Sequence, residues 1–452
     1  GHVAIIDRFR KINPKILIAE DGYVHTGKTI DLSETIGTIR AALENVEYFI
    51  HVPVVSGIGH SDINWYGLTK KSVKFDPTPV AFDHPLWVVY SSGTTGMPKP
   101  IVHGHGGVII EGMKQSLHHD LTTSDRFSWL TSSGWIMWNA QWVALGQGAT
   151  VVAFDGAPNY PNIDRMWEFI SDEKLTFFGA GAAFYEGCIK AAAHPGKSID
   201  LRALRSMGST GSPLSGEAYN WIYSKVKSDV WLAPMSGGTD FCGAFVLGHP
   251  KMPVRKGEMQ CRALGNAVRS FDKEGNDLVG EVGELVCTEP LPSMPIYFWG
   301  DDDNARLVES YFDTYPGVWR HGDWIEITPS GGAVIYGRSD ATINRKGLRL
   351  GSAEIYQAVE SLEEIQDSLV VDLEFLGKTS FMPLFIVPMS GLELDMTLED
   401  KINDVIKKTV SPRFLPNEII EVQEIPRTLS GKKLEVPVKK LLLGGDPKTV
   451  VN

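Results

Sequence analysis

Residues 86–108, LWVVYSSGTTGMPKPIVHGHGGV, set an apolar run, a loop of small and hydroxyl residues and a second β-rich run end to end. The apolar run at 86–90 predicts a buried strand, and Pro98 and Lys99 close the loop that follows it. Gly93 and Gly96 admit backbone angles other residues avoid, which exposes successive N–H groups, while Ser91, Ser92, Thr94 and Thr95 add hydroxyl donors. Lys99 adds a positive charge. Such a donor set suits the phosphates of a nucleotide, although the same residues also suit an ordinary turn. The spacing excludes a Walker loop, because Lys99 stands three residues beyond Gly96 with no Ser or Thr after it. No Gly-x-Gly-x-x-Gly follows a strand to open a helix, so the dinucleotide fingerprint is excluded as well.

The rest of the chain limits what can surround that loop. At 452 residues with 43% hydrophobic residues it implies two or more domains with substantial cores. A net charge of −12 argues against nonspecific nucleic-acid binding, yet leaves room for a local basic site for an anionic ligand. Cys188, Cys242, Cys261 and Cys287 stand far apart, which argues against zinc or a disulfide framework and for buried thiols in a reducing compartment. No apolar run reaches the length of a membrane span and the first residues lack a signal-peptide pattern, so the expected address is cytoplasmic. The chain begins without Met and enters a helix-like pattern at once (Val3, Ile5, Ile6, Phe9), as expected if an N-terminal portion precedes Gly1. Oligomeric state stays open.

Along the chain, apolar runs at 16–19 and 48–55 flank a helical stretch at 32–43, a β-α-β rhythm. A polar loop at 56–84 leads to the strand and phosphate loop, then come a helix at 108–119 and a Trp-rich stretch. Strands at 149–154 and 175–179 alternate with helices at 162–173 and 184–193, predicting a mostly parallel sheet covered on both faces. Ligands of such sheets sit at strand carboxyl ends, where GSTGSP (208–213) and MSGGTD (235–240) fall. From 254 to 337 short β segments and turns suggest a small barrel, and from about 341 an α+β unit follows.

YSSGTTGMPKP closely resembles the signature loop of the acyl-adenylate-forming enzymes, and the family's other stretches follow in order over nearly the whole chain. The resemblance implies a large domain of parallel α/β layers plus a small β-barrel, carrying a mobile α+β C-terminal domain. Its expected parts are the α/β part at 1–253, the β-rich part at 254–337 and the mobile domain at 338–452. By resemblance, Gly211, Ser212, Pro213, Ser236, Gly237, Gly238 and Thr239 line the nucleotide site, and Asp240 stands where the family's acid helps hold Mg2+ alongside the ATP phosphates. HGDW resembles Thr-Gly-Asp, so Asp323 takes the ribose hydroxyls, a task that suits an acceptor-only carboxylate. GRSDATINRKGLRLG resembles the inter-domain segment: Arg338 contacts ribose or phosphate, Asp340 is the hinge, Arg349 approaches phosphate, and Gly347 with Lys346 borders the coenzyme A arm. IPRTLSGKKLE resembles the late motif whose lysine, here Lys432, reaches the α-phosphate and the attacking carboxylate. Taken singly, Asp240 and Asp323 read equally as turn carboxylates, and Lys432 as a solvated lysine.

These residues fit the implied reaction. A carboxylic acid is ionised at pH 7 and needs no general base, but meeting the α-phosphate of ATP crowds like charges that cations and donors must offset. A thiol, that of coenzyme A, then displaces AMP. Within the family, PIVHGHGG, SSGWIMWN, DGAPNYP, SGGTD and PSMPIYFW most resemble the acetoacetyl-CoA synthetase group. Acetyl-CoA synthetases carry a tryptophan where Gly237 stands, so a deeper pocket against Trp135, Ile136 and Gly237 is expected to take a four-carbon keto acid. Another short acid, or a nucleotide-binding scaffold without turnover, are the alternatives.

Overall fold

The computed structural model describes residues 2–55, 63–70, 72–91, 99–339, 343–345, 348–350, 352–373, 381–428 and 431–445. The first layer is the β-α-β unit expected from the apolar rhythm: strands Ile16–Glu20 and Tyr48–Val52 pair in parallel. Helices His2–Ile12 and Ser33–Ala42 close a core of Ile6, Leu17, Ile39, Leu43 and Phe49 over it. A hairpin inside this unit, Gly22–His25 with Lys28–Asp31, has no counterpart in the sequence reading. Its turn residues Thr26 and Gly27 both have positive φ, 47° and 75°, a tight hairpin geometry reached without the Asn-Gly pair that normally advertises it.

The central sheet is parallel, with Arg126–Trp129, Phe177–Gly181, Ser206–Thr210 and Trp231–Pro234 as successive neighbours. Trp167, Phe178, Tyr185, Met207 and Trp221 pack against one face, and Phe127, Trp129, Met137, Val143 and Phe177 lie on the other. The strand expected at 149–154 shortens to Thr150–Val151, because it lies at the sheet edge and pairs with Arg126–Trp129 alone.

The short β segments form antiparallel sheets around Ile101, Phe241, Phe245, Leu285, Trp319 and Ile325. That core draws Ile101 from the strand after the phosphate loop and Phe241 from the acid loop, so both loops grow from one packed body. The expectation of a buried strand at 86–90 is corrected here. Pro85–Ser91 is an edge strand with Leu86 38% exposed, and its partner Lys99–Gly104, flanked on its other side by Tyr297–Phe298, takes the buried central place. Apolar composition does not separate an edge strand from a central one.

The C-terminal unit has its own core of Ile355, Val359, Leu384, Ile386, Ile402 and Ile406, from helices Ser352–Glu360 and Met396–Thr409 and strands Ile365–Val370 and Pro383–Pro388. Asp395 caps the second helix by accepting from the Leu398 N–H at 2.8 Å. The unit meets the body where the Lys190 ammonium, at the end of helix Ala182–Lys190, donates to the Gln366 carbonyl. No helix among the described residues is long and apolar enough to cross a membrane.

Candidate active site

Ser91 and Lys99 sit opposite each other at the base of the phosphate loop, as the last and first residues of paired antiparallel strands. Ser92, Gly93, Thr94, Thr95 and Gly96 lie outside the described residues, as do Asp340, Lys346 and Gly347 and the side chain of Arg349, whose backbone is in the hairpin strand Leu348–Leu350. Asp240, on a short 3-10 turn Thr239–Phe241, accepts at Oδ1 from the Ser91 hydroxyl at 3.3 Å and from the Tyr311 hydroxyl. Tyr311 stacks on Trp319 with ring centroids 3.7 Å apart, and the Lys99 ammonium lies 4.8 Å from the Tyr311 centroid. Burial raises the Asp240 carboxyl, but His321, Lys99 and the Tyr311 hydrogen bond outweigh it and hold the group below the usual carboxylate range. Asp240 is therefore an anion at neutral pH.

The strand Trp319–Ile327 brings the HGD segment alongside. Asp323 pairs across the ladder with Arg338 on strand Ala333–Arg338, and the Arg338 guanidinium reaches its carboxylate at 3.6 Å. Gly322, at φ 85°, leaves no Cβ where Arg338 passes. His321 is buried against Phe245, at 4.8 Å between ring centroids, and burial lowers its basicity while Asp323 and Asp240 oppose the shift. A Cβ on Gly238 would come within 2.6 Å of that imidazole, which explains a glycine there.

Lys432 enters this group from the C-terminal unit. Its side chain is exposed to water and lies within electrostatic range of Asp323, Asp240 and Arg338. Desolvation lowers its basicity, with Asp323 and Asp240 opposing the shift and Arg338 adding to it. The neighbouring Lys433 does another job: it is half-buried, bonded to Glu360 and Asp367, with its ammonium 3.9 Å from the Tyr356 ring centroid. Arg427 grips Asp367 with two nitrogens, at 2.7 and 3.0 Å. Clamped at Arg427 and Lys433, the turn presents Lys432, whose N–H donates to the Thr428 hydroxyl at 3.0 Å. Gly431 brings this turn against Ala183, with its Cβ position 3.9 Å from the Ala183 Cβ.

The remaining predicted residues form a second cluster at the strand carboxyl ends. Ser206–Thr210 runs into Gly211, whose φ of 93° turns the chain and whose Cβ position lies 3.4 Å from the Trp135 indole. Ser212 and Pro213 continue that turn, and Ile136 opens the helix Ile136–Ala140 beside Trp135. Ser236 and Gly237 lie on strand Ser236–Gly238, which pairs with Gly243–Leu247 through a bulge. A Cβ on Gly237 would fall 2.0 Å from the Gly243 carbonyl oxygen. The glycine thus serves close backbone approach before it serves any pocket, and a tryptophan there requires a different bulge.

Sequence reasoning missed the residues that hold Asp240 from behind. His103, fully buried, donates from Nε2 to the Asp240 carbonyl at 3.1 Å and accepts at Nδ1 from the Trp87 indole N–H at 3.2 Å. Burial pushes the His103 imidazole down to about 4, so it is neutral. A buried Glu111–Lys114 pair, 2.6 Å apart, lies under the next strand, where Glu111 accepts from the Ala244 N–H and Lys114 donates to Asn266. One signal was present: His103 shares alternation parity with Ile101, which puts a polar residue on an inward face.

The AMP-binding enzyme family model matches residues 4–298. Acetoacetyl-coenzyme A synthetase of Rhizobium meliloti (strain 1021) is 40% identical over 456 residues, spanning 98% of this chain and 69% of that protein. Acetoacetyl-CoA synthetase of Gallus gallus is 37% identical over 460 residues, spanning 98% and 69%. Among solved structures, acetoacetyl-CoA synthetase from Streptomyces lividans superimposes with a TM-score of 0.94 at 45% identity, over 100% of this chain and 70% of that one. An anthranilate CoA ligase in complex with anthranoyl-AMP shares the fold, with a TM-score of 0.80 at 20% identity over 98% and 81%. With a body of parallel and antiparallel sheets, a separately cored C-terminal unit and this degree of identity along almost its whole length, the chain belongs to the acetoacetyl-CoA synthetase family of AMP-binding enzymes.

Proposed function

We propose that this chain is an AMP-forming acid–thiol ligase that joins acetoacetate to coenzyme A in two steps, by way of acetoacetyl-adenylate and with release of pyrophosphate. The observation that carries the reading is that the turn clamped by Arg427 and Lys433 brings Lys432 within electrostatic range of Asp323 and Asp240, since a late lysine brought toward two carboxylates of another unit has no use in a passive binder. ATP lies with its ribose on Asp323 and Arg338 and its phosphates along the loop that ends at Lys99. The acetoacetate carboxylate attacks the α-phosphorus, the bond to the pyrophosphate oxygen breaks, and pyrophosphate leaves with the electron pair. Lys432, in its ammonium form, stabilises the charge that grows on the phosphoryl oxygens. One such donor in a preorganised site contributes about 3–4 kcal/mol.

Magnesium fits the donor set as part of the bound ATP. The hydrogen bonds on Asp240 fall on Oδ1, and Oδ2 carries none among the described residues, leaving one hard oxygen for an ion otherwise held by phosphates and water. Such an ion supplies charge neutralisation on the phosphates. In the second step the C-terminal unit turns about Asp340, withdraws Lys432 and brings the segment of Lys346, Gly347 and Arg349 to the adenylate. The coenzyme A thiol, losing its proton to solvent, attacks the acyl carbon and AMP leaves. Trp135, Ile136 and the Gly211 and Gly237 turns bound the acid. A panel of short acids assayed for AMP release with and without coenzyme A tests this reading: AMP forms fastest with acetoacetate, ATP and coenzyme A together. A higher specificity constant for acetate or butyrate overturns the substrate.

A further inference from the structure

Asp240 is fixed by its side chain and by its backbone, and the two anchors come from opposite sides of the phosphate loop. Ser91, which ends the strand entering the loop, bonds the carboxylate. His103, on the strand leaving it, bonds the carbonyl of the same residue at 3.1 Å. Trp87 and His103 are register partners across these two strands, and the indole N–H donates to Nδ1 at 3.2 Å. A neutral imidazole has one N–H, so a donor at Nδ1 forces that proton onto Nε2, the atom facing the Asp240 carbonyl. Three segments distant in sequence are thereby keyed to one another by a single ring that solvent does not reach.

A packing histidine at this place would be satisfied by any apolar replacement of similar volume. This one has both nitrogens bonded, and removing it leaves the indole N–H and the Asp240 carbonyl without partners in a dry region. On the ligase reading above, we infer that His103, oriented by Trp87, is a positioning residue that sets the Asp240 carboxylate against the base of the phosphate loop. It touches neither ATP nor acid, and its effect passes through Asp240.

The test measures acetoacetate-dependent ATP–pyrophosphate exchange and melting temperature in the full chain for His103→Leu, His103→Gln and Trp87→Phe. Gln keeps a donor at the Nε2 position and an acceptor near Nδ1, and Leu keeps only bulk. Exchange kcat falls about tenfold or more in His103→Leu with the ATP KM changed less than twofold, and His103→Gln recovers most of the loss. Trp87→Phe, which removes the hydrogen bond that sets the tautomer and, at a half-buried position, part of the indole, lowers kcat about threefold with the melting temperature kept. If His103→Leu does not fold, Trp87→Phe and His103→Gln decide. Wild-type exchange in Trp87→Phe, or a His103→Gln rate as low as that of His103→Leu at an unchanged melting temperature, overturns the inference. Absence of exchange in the unaltered chain with every acid refutes the ligase reading, a separate outcome.

Discussion

Asp240 sits in a bracket drawn from two strands and a helix of the large body, with Ser91, Tyr311 and His103 each bonded to it, whereas Lys432 is carried on a turn held by Asp367 and Glu360 of the C-terminal unit. The first arrangement shares one hydrophobic core with the phosphate-loop strand. The second has a core of its own and meets the body through contacts such as Gly431 on Ala183. A stationary anion can be preorganised by burial and hydrogen bonds. On the proposed two-step reading, a cation that serves one half-reaction and leaves for the other is better aimed by a rigid turn on a separate unit.

If the bracket is the stationary half, removing its centre has the largest effect. Asp240→Ala lowers ATP–pyrophosphate exchange by about a hundredfold or more, on the scale of losing a preorganised charge in a phosphoryl-transfer site. An exchange rate within threefold of wild type removes Asp240 from the chemistry. Tyr311→Phe deletes one hydrogen bond to a charged group, worth roughly 1.5–3 kcal/mol, and lowers exchange by about ten- to a hundredfold. Because Tyr311 also stacks on Trp319, near-normal melting is expected from Phe, and a large stability loss instead assigns Tyr311 to packing.

The aiming half gives a smaller effect of a different kind. Lys433→Met removes the ammonium bonded to Glu360 and Asp367 but keeps Lys432, so exchange falls about five- to tenfold while thioester formation from supplied acetoacetyl-adenylate is unchanged. Equal losses in both assays show that Lys433 supports the fold of the unit rather than the direction of the turn. Smallest is the pH effect. Desolvation lowers Lys432, so the docked free enzyme favours the neutral amine as pH rises, while exchange needs the ammonium. The alkaline limb of kcat/KM for ATP accordingly lies below the ordinary lysine range and moves upward in Lys432→Arg. A limb unmoved by that substitution belongs to another group.

The same contrast separates what was legible from what was not. Asp240, Asp323 and Lys432 stood out as candidates only through the family strings that contain them, since each alone also reads as an ordinary turn or surface residue, and the α/β alternation was readable because helix and strand periods differ. The supports were hidden. Nothing local in IVHG says that an indole sixteen residues earlier faces His103, because that pairing is a matter of antiparallel register. Tyr311 lay in the YFDTYPG string as an ordinary aromatic, and only its stack on Trp319 aims its hydroxyl at Asp240. Gly237 was legible as small but not as small for a reason, since the Gly243 carbonyl that fills its Cβ position follows from a bulge.

The central claim is that Lys432 acts on adenylate formation and not on thioester formation. Its most direct test compares the two half-reactions in Lys432→Ala: acetoacetate-dependent ATP–pyrophosphate exchange falls by about a hundredfold or more, while thioester formation from preformed acetoacetyl-adenylate and coenzyme A stays within about threefold of the unaltered chain. Exchange that persists at its former rate, or both half-reactions slowed alike, contradicts it.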